Sequence, residues 1–324
     1  MKKKYTLFEK SLHHVILNNK FLNKSLFEVE KKFFLNNKNN IINNKHLFIS
    51  GLPRSGTTIL LNFFFSSGEF ESLKYRDMPF LLSPNLFSKF DRRNNVESFL
   101  RSHDDRIKIN LDSPEAFDEV FIRLYEMDDD FEQNFVDYIT LVLIKYNGKR
   151  YLSKNNHNYK RINKILKFLP NSIFVIPFRS PLKHSLSLLN QHQNFLSKQK
   201  DNKFIISYMN YLGHNEFGLN HVSWNNPIKY SDFNNLNYWM EQWFLFYSSI
   251  LKKFVGNDRV ILFSYDDLCN DSDKIKLLSK KIDLLVQPDN FKFSDSNLMI
   301  NENYDKELLQ KSLEIEIKLK SFSI

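Results

Sequence analysis

At 324 residues and 42% hydrophobic composition, the chain is long enough to bury a sizeable core and too apolar to stay disordered. Its net charge of +9 suits anionic ligands, yet lysine is scattered among asparagine, phenylalanine and isoleucine instead of alternating with aromatics in one segment, which argues against nucleic acid as a partner. A single cysteine, Cys269, excludes an internal disulfide and a cysteine-cluster metal site, and no stretch reaches the roughly 18 apolar residues of a membrane span.

In chain order, the basic start Met1-Lys2-Lys3-Lys4 lacks the following apolar run of about 7–15 residues that a secretory leader carries, so a cytoplasmic protein is expected. The first 45 residues read as amphipathic helix interrupted by asparagine clusters at 36–44. A short apolar strand, 46–50, leads into the loop Gly51-Leu52-Pro53-Arg54-Ser55-Gly56-Thr57-Thr58 and a helix to about Ser66. Segment 68–150 reads as mixed and mostly helical, with breaks at Pro79, Pro84 and Pro114. A second strand is expected at 150–153, then a helix at 158–168 ending at Pro170. The continuous apolar run 172–178 has the character of a buried parallel strand, and Pro181 opens the next helix, to about Phe195, in the first-turn position proline favours. Segment 198–235 shows poor periodicity and reads as a long irregular excursion. A helix at 237–254 carries Trp239 and Trp243 on one face for core packing, a strand covers 260–264, and two further helices complete the chain. Strands alternating with helices predict a three-layer α/β/α fold with a central parallel sheet and ligands at the carboxyl ends of its strands. The whole of 1–324 is read as one domain: a helical extension at 1–45, a core over about 46–270, and C-terminal helices at 271–324.

The loop after the first strand carries the chemistry. A glycine turn between strand and helix aims backbone N–H groups at an anion, and the helix N-terminus favours negative charge. Two of the chain's seven glycines sit here. A triphosphatase loop places lysine directly after its second glycine. This chain has Thr57 there and puts the cation, Arg54, inside the loop. The site therefore suits a phosphate-like anion and not a magnesium–ATP complex. Arg179 closes the third strand, where its planar fork can grip a phosphate, and Ser187 follows on the next helix.

Three features coincide in order: Pro53 to Thr58 as P-R-S-G-T-T, Arg179 with Ser187 as R-x7-S, and Ser264-Tyr265-Asp266-Asp267-Leu268 at a strand end. With them the chain resembles the sulfotransferases that use 3′-phosphoadenosine 5′-phosphosulfate, closest to the tyrosylprotein and Golgi-type branch and its bacterial relatives. The resemblance implies a P-loop-like fold, transfer of a sulfuryl group in line to a hydroxyl or amine, and no metal. It gives Arg54, Ser55, Gly56, Thr57 and Thr58 to the 5′-phosphosulfate, Arg179 and Ser187 to the 3′-phosphate, and Tyr265 to the neighbourhood of the adenine. It makes Lys154 the cation at the transferring group, with Asn156 standing where the family carries proline. For the acceptor proton it offers Asp77, preferred here because the loop is of the arginine type, or His157, with His103 as a third candidate. Residues 113–117 are expected to line the acceptor cleft, and His13, His14, His184, His192, His214 and His221 to be structural. The acceptor class stays open among glycan, lipid, peptide and small metabolite. The rival readings are a P-loop kinase or nucleotide hydrolase, and an inactive nucleotide-binding protein on the same scaffold.

Overall fold

The computed structural model describes residues 6–35, 41–91, 98–100, 108–271, 273–286, 288, 293 and 302–324. Its centre is a parallel sheet of β1 (Leu47–Ile49), β2 (Phe70–Glu71), β5 (Arg150–Lys154), β6 (Ile173–Phe178) and β7 (Val260–Ser264), in the order β2-β5-β1-β6-β7. A separate antiparallel pair, β3 (Phe99–Leu100) and β4 (Lys108–Ile109), stands apart from it. Every residue of β1, β6 and β7 is buried, as a parallel strand covered on both faces requires.

Strand alternation divides the core in two. Leu47 and Ile49 face one layer, where they join Leu60, Leu61 and Phe64 of the helix Thr57–Ser66 and Leu268 and Leu278 nearer the C-terminus. Phe48 faces the other and stacks on Phe174 with ring centroids 4.9 Å apart. That second layer is the larger, built on the helices Phe131–Tyr146, Pro181–Asp201 and Leu236–Phe254. Trp239 and Trp243 lie fully buried in it. The sandwich of helix, sheet and helix is the three-layer α/β fold.

Several elements differ from the sequence reading. The N-terminal helix is two helices, Leu7–Asn18 and Lys20–Phe34, broken at Asn19, whose side chain accepts from the Leu22 amide and caps the second. The excursion after residue 198 is partly helical: the helix from Pro181 runs on to Asp201, and a further helix, Lys203–Leu212, follows. Asn202 caps that helix through a bond from the Phe204 amide, and Gly213 ends it in the left-handed region at φ +74°. Only Met209 and Leu212 of it are fully buried. Among the described residues three helices, Tyr265–Asn270, Asp273–Lys281 and Lys306–Phe322, follow β7 where two were expected. β2 is only two residues long and leaves no alternation to read.

The chain leaves β1 toward β2 and β5 on one side and later adds β6 and β7 on the other, so the strand order reverses at β1. In such sheets the crevice at the carboxyl ends beside the reversal is where ligands bind. Ile49 pairs with Lys154 on one side and with Val175 on the other. The glycine loop, Lys154, Arg179 and Tyr265 therefore all emerge along one edge.

Candidate functional site

The loop is held from behind. Ser55 Oγ donates to the Leu52 carbonyl at 2.7 Å, and His184 Nε2 donates to the Pro53 carbonyl at 2.8 Å. Arg54 adopts φ +70° and Gly56, the residue before the helix Thr57–Ser66, φ +100°. Left-handed backbone costs a non-glycine residue about 1 kcal/mol or more, so Arg54 is kept there by its surroundings. Gly56 has a second reason to be glycine: a Cβ would lie 2.3 Å from the Tyr265 ring. The first N–H groups of the following helix have no acceptor within it, which equips this end for an anion. Ser55 and Thr57 are buried, while Thr58 and Arg54 are half-buried.

Residues far apart in sequence meet here. Arg54 Nε donates to Ser187 Oγ at 3.2 Å, and Arg179 Nη1 donates to the Arg54 carbonyl at 3.3 Å. The Arg179 guanidinium lies 5.7 Å from the centre of the Tyr265 ring. Arg54, Arg179, Ser187 and Tyr265 thus form one connected group. Tyr265 is 3% exposed and engaged with the loop glycine, so it braces the loop and has little ring left to stack on a base. Asp266 completes the group: its carboxylate accepts from Arg179 Nε at 3.4 Å and from the Ser180 amide at 2.6 Å, fixing the arginine and the start of the helix Pro181–Asp201 together. His184 is fully buried and its pKa is lowered to about 3, chiefly because burial disfavours the charged ring. It is a neutral support beneath the loop.

Lys154 ends β5 almost completely buried, with Nζ 3.9 Å from Glu115 Oε1. Glu115 Oε2 accepts from the Tyr75 hydroxyl at 2.8 Å, and Oε1 from the Ala116 amide at 2.9 Å. Segments 73–76 and 111–115 are zipped together by the Glu115 amide to the Leu73 carbonyl and the Tyr75 amide to the Ser113 carbonyl, which carries Glu115 to the sheet edge. Asn155 binds Ile49 through its backbone and Asp118 and Glu119 through its side-chain amide. Asn156, at the family's proline position, opens the 3-10 helix Asn156–Lys160, capped by Asn155 accepting from the His157 amide. Asn156 also donates to Glu216 at 3.2 Å. Burial alone would raise the Glu216 carboxyl, but His214, His157 and Lys154 around it hold it below the usual carboxylate range. His157 is half-buried; burial lowers its pKa against the opposing pull of Glu216 and Glu119.

Asp77 lies elsewhere in its bonding. It sits in the 3-10 turn Tyr75–Asp77, 1% exposed, ion-paired to Lys145. It accepts from the Tyr146 hydroxyl at 2.7 Å and from the Lys74 amide at 2.7 Å. Both of its oxygens accept from protein donors, as both oxygens of Glu115 do. His103 lies outside the described residues. Glu115, Glu216 and Asp266 are the members of the site that residue spacing did not single out; the only signal in the sequence was the place of Glu115 in segment 113–117 and of Asp266 beside Tyr265. Among the described residues no cluster of metal-ligating side chains occurs, and no helix is long and apolar enough to cross a membrane.

A family model described as the sulfotransferase family matches residues 46–275. No curated protein sequence matches the chain at a significant level. Among solved structures, it is similar to sulfotransferase STF9 from Mycobacterium avium, at 13% identity and a TM-score of 0.49, covering 97% of this chain and 78% of that one. Sulfotransferase STF1 from Mycobacterium tuberculosis gives 11% identity and a TM-score of 0.49, over 98% and 86% of the two chains. The sulfotransferase domain of the curacin biosynthetic pathway gives 12% identity and a TM-score of 0.34, over 82% and 77%.

Proposed function

The chain belongs to the sulfotransferase family, and we propose that it transfers the sulfuryl group of 3′-phosphoadenosine 5′-phosphosulfate to the hydroxyl of an acceptor molecule, without a metal. The observation that carries the reading is the contact of Arg54 with Ser187 and Arg179, which joins two anion-binding motifs at one sheet edge. A cradle with Thr57 where a triphosphate would need lysine suits a phosphosulfate.

In this reading the backbone of Ser55 to Thr58 and the Arg54 side chain hold the 5′-phosphosulfate. Arg179 and Ser187 hold the 3′-phosphate, with Asp266 setting the arginine's angle and Tyr265 keeping the loop in shape. Lys154 stabilises charge at the transferring group. Fixed cations and amides aimed at developing charge are each worth on the order of 100-fold in rate. The glycan, lipid, peptide and metabolite classes of acceptor remain equally compatible with these residues.

A thermal-shift comparison tests the donor class. At about 100 Kd, 3′-phosphoadenosine 5′-phosphate stabilises the fold by about 2.7 kcal/mol, while ATP with magnesium leaves the melting temperature unchanged. Stabilisation by ATP–magnesium alone sinks the reading. Arg54→Gly, which relieves the left-handed backbone, keeps the fold and removes most of the shift.

A further inference from the structure

The two residues that flank Lys154 in sequence are gripped by one carboxylate. Side chains alternate along a strand, and Asn155 continues β5 in extended backbone at φ −140° and ψ 115°. Leu152 packs in the layer of the helix Thr57–Ser66, so Lys154 shares that face, while Ser153 and Asn155 turn to the other side. There they meet the first turn of the helix Asp118–Tyr125. Ser153 Oγ donates to Asp118 Oδ2, and Asn155 Nδ2 donates to Asp118 Oδ1 at 3.2 Å. The same Asn155 amide donates to Glu119 Oε2 at 2.8 Å, and Asn158 Nδ2 donates to the Ser153 oxygen at 3.1 Å. Arg161 closes the cluster with two bonds to Glu119, at 2.9 and 3.2 Å. On the loop side, the Asn155 amide donates to the Ile49 carbonyl at 3.0 Å, which joins the same strand end to the start of the glycine loop.

Asp118 is 3% exposed, and a carboxylate so deeply buried is a costly way to hold a helix that apolar packing could hold instead. What directional bonds add is angular precision. Resting on the donor reading above, we propose that Asp118 is a positioning residue for sulfuryl transfer: by holding Ser153 and Asn155 it sets the Lys154 ammonium against the 5′ end of the donor. Asp118 itself touches neither donor nor acceptor and acts through Lys154 alone. The dependence runs both ways. Burial raises the Asp118 carboxyl pKa, and the bonds from Ser153 and Asn155 oppose that rise.

The test reads binding alone, on the full chain, by calorimetric titration with 3′-phosphoadenosine 5′-phosphate and with adenosine 3′-phosphate. The probes differ only in the 5′-phosphate, so the ratio of their Kd values isolates what the glycine loop and Lys154 contribute. If 3′-phosphoadenosine 5′-phosphate does not bind the unsubstituted protein, the donor reading fails, whatever Asp118 does. Lys154→Met should cut the ratio about tenfold or more, the worth of one bond to a charged group. Asp118→Asn should cut it about threefold or more, with Kd for adenosine 3′-phosphate unchanged. In the Lys154→Met background, Asp118→Asn should change the ratio less than about twofold, because the group it positions is gone. A ratio unmoved by Asp118→Asn, or cut equally in both backgrounds, overturns the proposal, as does a ratio unmoved by Lys154→Met. Ser153→Ala and Asn155→Ser each remove one donor to the carboxylate, and serine keeps an oxygen for the His157 amide. They should give the same pattern at smaller size, and they decide the matter if Asp118→Asn does not fold. Glu30→Gln is the control for lost stability alone. Its carboxylate, on the helix Lys20–Phe34, is fully buried and accepts from Asn85 and the Leu86 amide. The melting temperature should fall in Glu30→Gln with the ratio unchanged, and a ratio that falls there as it does in Asp118→Asn overturns the positioning role.

Discussion

Lys145 meets Asp77 and Lys154 faces Glu115; the two pairs are buried to the same degree and differ in how closely the charges approach. Side-chain exposure is 9% and 0% for Lys145 and Asp77, and 7% and 8% for Lys154 and Glu115. Burial therefore does not separate them. The distance between the charges does. Asp77 is in direct contact with Lys145, Tyr146 and the Lys74 amide, and Lys145 also donates to the Pro84 carbonyl at 2.9 Å. Lys154 Nζ and Glu115 Oε1 stand 3.9 Å apart. One short turn touches both, through Asp77 itself and through Tyr75, two residues earlier, on Glu115. The closely paired Asp77 holds the turn in place.

The sharpest way to break this comparison is to remove each lysine. Breaking a buried pair leaves an uncompensated charge at a cost of about 3–5 kcal/mol, so Lys145→Met should lose about 4 kcal/mol in denaturant unfolding. Lys154→Met should lose less, about 1–2 kcal/mol, because its ammonium stands 3.9 Å from Glu115 and is paired less tightly, while donor turnover collapses. Equal stability losses would show the pairs to be of one kind.

Acid tests the closed contacts behind the loop. His184 has a pKa lowered to about 3 from 6.5, and its Nδ1 faces no acceptor among the described residues. The unfolded chain binds this proton at higher pH than the folded one. Stability contributed by the neutral ring is complete above pH 6.5 and is lost as pH falls from there toward about 3. His46, lowered to about 4 by burial, adds to the same window. The stability measured at about pH 5 should lie roughly 2 kcal/mol per buried histidine below that at neutral pH, and His184→Gln should flatten the curve. A flat profile for the unsubstituted protein would contradict the buried, neutral ring.

The smallest effect comes from the two tyrosines. Tyr146→Phe strips Asp77 of a donor in a closed site and should cost about 1.5–2 kcal/mol. Tyr75→Phe, at a half-buried ring, should cost less than about 1 kcal/mol. Thermal melts of both variants rank them directly.

The donor side of the site was legible because its residues belong to short segments tied to strand ends. A strand, a glycine turn and a helix specify backbone geometry within some ten residues, and Arg179 inherits its position from the end of β6. Asp266 was visible as an acidic neighbour of Tyr265, but its grip on the Ser180 amide was not. The acceptor side was hard to read for the opposite reason. Asp77 looked like an available carboxylate because Lys145, 68 residues later, does not announce itself as its partner. The helix Lys203–Leu212 was missed because it is short and sits inside the otherwise polar, aperiodic segment 198–235.

By itself, the sequence determined the alternation of strands and helices, the anion cradle with arginine in place of lysine, and the order of the strand-end motifs. These depend on neighbours along the chain, whose geometry a few dihedral angles restrict. Tertiary structure alone decided which lysine each buried carboxylate meets, Asp77 touching Lys145 and Glu115 standing 3.9 Å from Lys154. That choice is made by the long-range pairing of segments 73–76 and 111–115 and the packing of the helix Phe131–Tyr146, and no local pattern carries it.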